Sequence, residues 1–303
     1  VHDEVKAYLS YADQVVLLEQ RGMDVGDHDD AARVLGRINY YRFSGYWYSF
    51  RQRTDEGRGD TFYQGTRLAD VVALYEFDAR LRTATFSTLA PIELALRALL
   101  GHELGRIDPC VHLDPGMLGP AARQGTSYER WRKDYEYELA SSREDFVIHH
   151  HRKYGGRLPV WAAVELLGWG GLTRLYGFAP RSTQDAIAGM CGLRAPQLSS
   201  WLKALNIVRN VCAHHGRLYN RVHTFSPKLP PAVAHPDLHA ATTVWTRTFG
   251  QLTLIQFLLD RLEVGSMRTL PLVVKTYPAV SMIPLLHLGA ETTWQTRSRL
   301  WSV

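Results

Sequence analysis

An all-α helical bundle is the fold class this sequence predicts, and two observations predict it. Apolar residues recur at three- and four-residue spacing through most of the 303 residues. Few runs alternate with period two, so at most a minor hairpin is expected beside the helices.

The elements follow in order. Val5 to Arg21 carries Val5, Leu9, Ala12, Val15, Val16 and Leu18 before Gly22 and reads as a helix. Asp29 to Ile38 is a second, short helix with Asp29 or Asp30 as its N-cap. An aromatic tract from Asn39 to Phe50 then opens into a charged, glycine-containing loop, Arg51 to Asp60. Leu68 to Leu89 and Pro91 to Leu104 read as two long helices meeting at Pro91, a residue suited to a first turn. Ile107 to Thr126, rich in Pro and Gly, reads as a surface loop, and Tyr128 to Lys153 as one strongly charged helix. Val160 to Tyr176 is a largely apolar helix in which Gly168, Gly170 and Gly171 permit a kink or close packing. Ser182 to Met190 and Gln197 to His214 are further helices. Pro227 to Pro236 is a loop, Ala240 to Leu262 a last long helix, and the remainder an irregular tail. A soft boundary at Arg51 to Thr61 separates an N-terminal helical segment (1–60) from the bundle (61–265). The tail (266–303) is expected to pack on that bundle.

A hydrophobic content of 46% with 21% charged residues fits a globular chain of one large domain or two small ones. Net charge +5 and a pI near 9.1 suit a nucleic-acid partner without demanding one. Cys110, Cys191 and Cys212 are an odd number with no metal-ligand spacing, which points to a reducing compartment; a cytoplasmic location is expected. The start, with Asp3 and Glu4, lacks the apolar run of a signal peptide. Pro271, Lys275, Pro278 and Pro284 interrupt the apolar stretch Leu270 to Ala290, so no membrane span is expected.

The chemistry concentrates in Arg209-Asn210-Val211-Cys212-Ala213-His214. On a helical wheel Leu198, Trp201, Leu205, Val208 and Cys212 share one side. Arg209, Asn210 and His214 share a polar arc of roughly 140° along about 7.5 Å of helix. A fixed guanidinium and an imidazole able to move a proton at physiological pH can together cleave a phosphodiester without a metal. A bare Arg-x4-His is short and more often an ordinary surface pair. Its tail sets this one apart: His215, Arg217, Tyr219, Asn220 and Arg221 can grip phosphates and stack bases.

Arg209-Asn210-x3-His214 resembles the R-x4-6-H signature of HEPN-domain ribonucleases, and RNVCAHHGRLYNR resembles the Abi-like (AbiD/AbiF) abortive-infection proteins of bacteria. Further blocks, in order, are similar to that family: YLSYADQVVLLEQRGM, INYYRFSGYWYSFR, FYQGT with VVALYEFDARLR, DFVIHHHRKYGGRLPVWAAVELLGWGGLTRLY and HLGAETTWQTRSRLW. The family often has Trp where this chain has Tyr219. The resemblance implies a HEPN helical bundle, a role in phage defence, and RNA cleavage by Arg209 and His214 with Asn210 assisting. It implies a homodimer that brings two motifs together, no cofactor, and a partner RNA. Two alternatives stay open: an RNA-binding module that holds a small noncoding RNA uncut, and a toxin restrained by an RNA or protein antitoxin.

Other candidates carry less. Arg97 and His102 form a second Arg-x4-His, with Glu93 one turn before Arg97; it reads either as a degenerate second motif or as an intrahelical ion pair with a histidine at the helix end. His149-His150-His151 point about 100° apart on a helix and cannot converge on one ion, so no metal is expected; Arg152, Lys153 and Arg157 beside them suit an RNA-facing surface. Tyr40, Tyr41, Arg42, Tyr46, Trp47, Tyr48 and Arg51 can stack on bases or pack helices together, packing being the commoner role. Glu165, on an apolar helix, is either a site residue or the partner of a buried arginine.

Overall fold

Described by a computed structural model over residues 6–302, the chain starts its first helix, α1 (Tyr11–Gln20), at a reciprocal cap. Ser10 Oγ accepts the Asp13 N–H at 3.2 Å, and Asp13 Oδ2 accepts the Ser10 N–H at 3.2 Å. Asp3, Glu4 and the expected helical position Val5 lie outside the described residues. Asp27, not Asp29 or Asp30, caps α2 (His28–Arg37): its Oδ1 accepts the Asp30 N–H at 2.9 Å. Asp29 and Asp30 sit in the first turn, where the helix dipole favours acids. Asn39 caps α3 (Tyr40–Trp47) through the N–H groups of Tyr41 and Arg42.

The charged segment expected as a loop is an antiparallel hairpin, β1 (Arg51–Thr54) and β2 (Gly57–Phe62). Its residues are mostly exposed on both faces, so it lacks the apolar alternation that marks a strand. It is the only sheet among the described residues, and 62% of the chain is helical.

The two helices expected to meet at Pro91 are one, α4 (Leu68–Gly105). A proline inside a helix costs on the order of 3 kcal/mol. Here that cost is outweighed by burial of α4 from Val71 to Leu104, with Phe77, Leu81, Ile92 and Leu100 inaccessible or nearly so. The segment after α4 is only partly a surface loop. Short 3₁₀ turns bury Val111, His112 and Ala122.

The charged stretch expected as one helix is two, α5 (Ser127–Ser141) and α6 (Asp145–Tyr154), because Ser142 leaves the helix in an extended conformation. The apolar helix expected over Val160 to Tyr176 also divides, into α7 (Val160–Ala163) and α8 (Trp169–Phe178), with extended Leu167 and Gly168 between them. Then come α9 (Arg181–Met190) and α10 (Ala195–Ala213). The last long helix is shorter than expected: α11 (Pro236–Ala241) and α12 (Thr248–Leu262) are separated by extended Thr242. Helices α13 (Thr269–Val274) and α14 (Trp294–Arg297) interrupt the tail.

Helix α4 is the axis: α3, α7, α8, α9, α10, α12 and α13 all touch it. The tail closes on α12, where Gln256 Nε2 donates to the Leu300 carbonyl at 2.7 Å and Trp301 Nε1 to Thr253 Oγ1 at 3.0 Å. Among the described residues no helix is long and apolar enough to cross a membrane.

Candidate functional site

Helix α10 buries Leu198, Trp201, Leu205, Val208 and Cys212 against its neighbours and leaves Asn210 and His214 exposed. Arg209 lies at the border. Its guanidinium sits 5.4 Å from the Phe86 ring centre on α4, and its Nη1 donates to Asn210 Oδ1 at 3.5 Å. Its Nε is buried with no partner among the described residues. The head of Arg209 is therefore braced against an aromatic ring.

His214 is the residue that ends α10, its N–H donating to the Asn210 carbonyl at 3.0 Å. The chain then turns sharply. His215 adopts left-handed backbone (φ +55°), its N–H bonds the Cys212 carbonyl at 3.1 Å, and the Gly216 N–H bonds the Val211 carbonyl at 2.7 Å. This two-bond helix stop normally carries glycine at the left-handed position; here a histidine occupies it. The Cys212 thiol beneath is pushed up to about 12 by burial, which leaves it inert as a nucleophile.

The tail after the turn is fastened from the side. Asp78 on α4 is inaccessible, and its Oδ1 accepts the N–H groups of Leu218 at 3.1 Å and Tyr219 at 2.7 Å. Its other oxygen accepts the Tyr46 hydroxyl at 2.6 Å and pairs with Arg82, itself 6% exposed. Burial raises the Asp78 carboxyl, opposed by Arg82 and by these hydrogen bonds. Thr248 Oγ1 holds the Leu218 carbonyl at 2.6 Å, and Arg42 on α3 donates to the His215 carbonyl.

The expected tail residues separate. His215 and Arg221 are exposed, and Arg217 and Asn220 are half-buried. Tyr219 is not available to stack a base. Its ring is inaccessible and lies parallel to Tyr46 at 5.9 Å, because the Asp78 clamp draws that stretch of backbone into the core. Within the aromatic tract Phe43, Tyr46 and Trp47 pack inward, whereas Tyr41 and Tyr48 are exposed.

Arg97 is occupied elsewhere. It donates to Glu93 Oε1 at 2.9 Å, Glu165 Oε2 at 3.2 Å and the Leu167 carbonyl at 3.1 Å. This ties α4 to the α7–α8 junction, at the level where a side chain on Gly101 would strike Trp161 Cα at 2.9 Å. His102 is exposed, its Nε2 3.8 Å from Glu103. Arg97 follows Phe86 by about 16 Å along α4, so the second Arg-x4-His stands apart from the first. Glu165 is the arginine's partner. His149 and His150 hold their rings 5.8 Å apart at 83°, and His150 Nδ1 lies 2.7 Å from the Phe146 carbonyl. No group of three or more His, Cys, Asp or Glu among the described residues is arranged to hold a metal.

Sequence reasoning missed Asp78, Arg82 and Phe86. The sign of the first two was a charged pair four residues apart inside the apolar run VVALYEFDARLR.

No curated protein and no solved structure matches the chain. The family described as Abi-like protein matches residues 33–220, more than half the chain, from within α2 through the motif to Asn220. With Arg209, His214 and the Asp78-clamped tail all inside the matched region, the chain belongs to the Abi-like family.

Proposed function

We propose that the protein is a metal-independent endoribonuclease of HEPN type. The family itself suggests abortive-infection defence. The observation that carries the proposal is the pairing of Arg209, braced on Phe86, with the exposed imidazole of His214 at the end of the same helix. An RNA phosphate over that helix end would meet a fixed cation and a proton carrier on one rigid element.

In the proposed reaction the ribose 2′-OH attacks the adjacent phosphorus. His214 removes the 2′ proton or protonates the departing 5′-oxygen, and Arg209 stabilises the extra charge on the pentacoordinate phosphate. Asn210 receives the Arg209 hydrogen bond and orients the pair. The bond broken is P–O5′, leaving a 2′,3′-cyclic phosphate and a 5′-OH. A second copy of the chain supplies the opposing motif in a homodimer.

The test is cleavage of RNA and of the matching DNA in EDTA by the wild-type chain, Arg209→Ala and His214→Ala. Cyclic-phosphate products from RNA alone, reduced at least about a hundredfold in both variants, support the reading. Cleavage that EDTA abolishes sinks it. An uncut, tightly held RNA on the purified protein transfers the same residues to an RNA-holding role or to a toxin restrained by that RNA.

A further inference from the structure

Helix α3 has a second face. Arg42 and Gly45 touch the motif tail: Arg42 donates to the His215 carbonyl, and a side chain on Gly45 would lie 3.2 Å from Arg217 Nη1. Tyr40, Tyr41 and Ser44 instead line an open cavity of about 550 Å³ between α1, α3 and the hairpin.

The cavity combines two kinds of surface. Leu9, Leu17 and the tyrosines make its walls apolar and aromatic. Lys6, Arg21 and Arg51 supply three cations against the single carboxylate of Asp60. Both arginines share that carboxylate, Arg21 at 2.9 Å and Arg51 at 3.2 Å, so their positive charge is only partly neutralised. Arg51 Nε is buried with no partner among the described residues. Tyr41 is 71% exposed, and Lys6 Nζ stands 5.8 Å from its ring centre. The exposed Tyr41 ring offers a face on which a planar group can stack. An arginine pair sharing one carboxylate retains donors for a further anion.

We infer that this cavity binds a nucleoside phosphate, with the base against Tyr41 and the phosphate on Arg21, Arg51 and Lys6. Its volume falls within the roughly 300–1,000 Å³ typical of small-molecule sites. A flat base linked to a dianionic phosphate matches the aromatic-and-cationic lining, whereas an apolar ligand leaves the arginines unanswered and a bare anion leaves the rings uncovered. The ligand is either a free nucleotide or the phosphorylated terminal nucleotide of an RNA. The site is separate from Arg209 and His214 and does not depend on their being catalytic.

Calorimetry on the full chain tests it, with AMP, GMP, CMP and UMP, the corresponding nucleosides, inorganic phosphate, and short RNAs with and without a 5′-phosphate. Saturable binding of a nucleotide is expected, weakened on the order of tenfold or more by removing its phosphate, by Tyr41→Ala and by Arg51→Met. Tyr41→Ala alters an exposed ring only, so its effect stands even where Arg51→Met perturbs the hairpin. Binding of mononucleotides identifies a free ligand; binding of 5′-phosphorylated RNA alone, lost in Tyr41→Ala, identifies an RNA end. Three results overturn the assignment: no saturable binding of any nucleoside phosphate up to millimolar concentration, affinity unchanged in Tyr41→Ala, or inorganic phosphate binding as tightly as a nucleotide.

Discussion

Asp78 Oδ1 accepts the backbone N–H of Tyr219 at 2.7 Å, across 141 residues of chain. That bond, with its neighbour from Leu218, fixes where the polypeptide goes after the Arg209/His214 helix ends. The carboxylate is inaccessible and also serves Tyr46 and Arg82, so its loss strands several buried groups at once. Asp78→Ala is expected to destabilise the protein by about 3–5 kcal/mol, the cost of breaking a buried pair and leaving one charge alone. Chemical denaturation measures it. Asp78→Ala combined with Arg82→Met removes the stranded charge and is expected to recover part of the loss. A double variant less stable than the single would refute the ion-pair account.

Arg97 resembles Arg209 in sequence but not in surroundings. Its two terminal nitrogens already donate to Glu93, Glu165 and the Leu167 carbonyl. Arg97→Met is expected to cost on the order of 1–2 kcal/mol and to leave RNA cleavage per folded molecule unchanged. His102→Ala is expected to be nearly neutral for both, since its side chain is exposed. A folded Arg97→Met protein without cleavage would return that residue to the catalytic set.

How much was legible depends on range. The polar arc of α10 was readable because helical periodicity is local: Leu198, Trp201, Leu205, Val208 and Cys212 announce the buried side, and Arg209, Asn210 and His214 follow by subtraction. The fate of Tyr219 was not readable. Its burial is decided by Asp78, far away in the chain, and an aromatic residue beside arginines has the same local pattern whether it stacks a base or a core ring. The break at Pro91 was wrongly expected because proline's local cost is visible in sequence, while the burial that outweighs it comes from helices not yet assembled around α4. The division at Ser142, where the backbone turns extended between α5 and α6, was missed; at Gly168 the glycines signalled a kink, and the chain instead breaks fully between α7 and α8.

His215 holds φ +55° at the position after the helix end where glycine is ordinarily found. A side chain there costs on the order of 1 kcal/mol relative to glycine. His215→Gly is expected to raise stability by about that amount in thermal or chemical unfolding. The bond from the Arg42 guanidinium to the His215 main-chain carbonyl is untouched by the change. If the exposed His215 side chain contacts RNA, the same substitution weakens RNA binding while the protein becomes more stable. Opposite signs in the two measurements would assign the strained histidine to function; a stabilised protein with unaltered RNA affinity would confine it to the turn.

Two other histidines set the acid limit of the fold. His112 and His223 are buried, and burial, reinforced by Arg132 and Arg221 respectively, lowers each to about 4. Neither His112 nitrogen has a partner among the described residues; its ring stands edge-on to Tyr135 at 5.3 Å. In the unfolded chain a histidine titrates near 6.5. Between that value and about 4 the unfolded state binds protons that the folded state refuses, so folding stability rises with pH across this window and is lost as pH falls through it. Each histidine contributes up to about 3 kcal/mol to that loss. His112→Phe keeps the ring and removes the proton site. It is expected to be close to neutral at pH 7.5 and to become progressively more stable than wild type from pH 6.5 to pH 4.5, read as the difference in denaturation midpoint at each pH. A difference that stays constant across the window would mean that His112 is protonated in the folded protein, and the acid sensitivity would then belong to other groups.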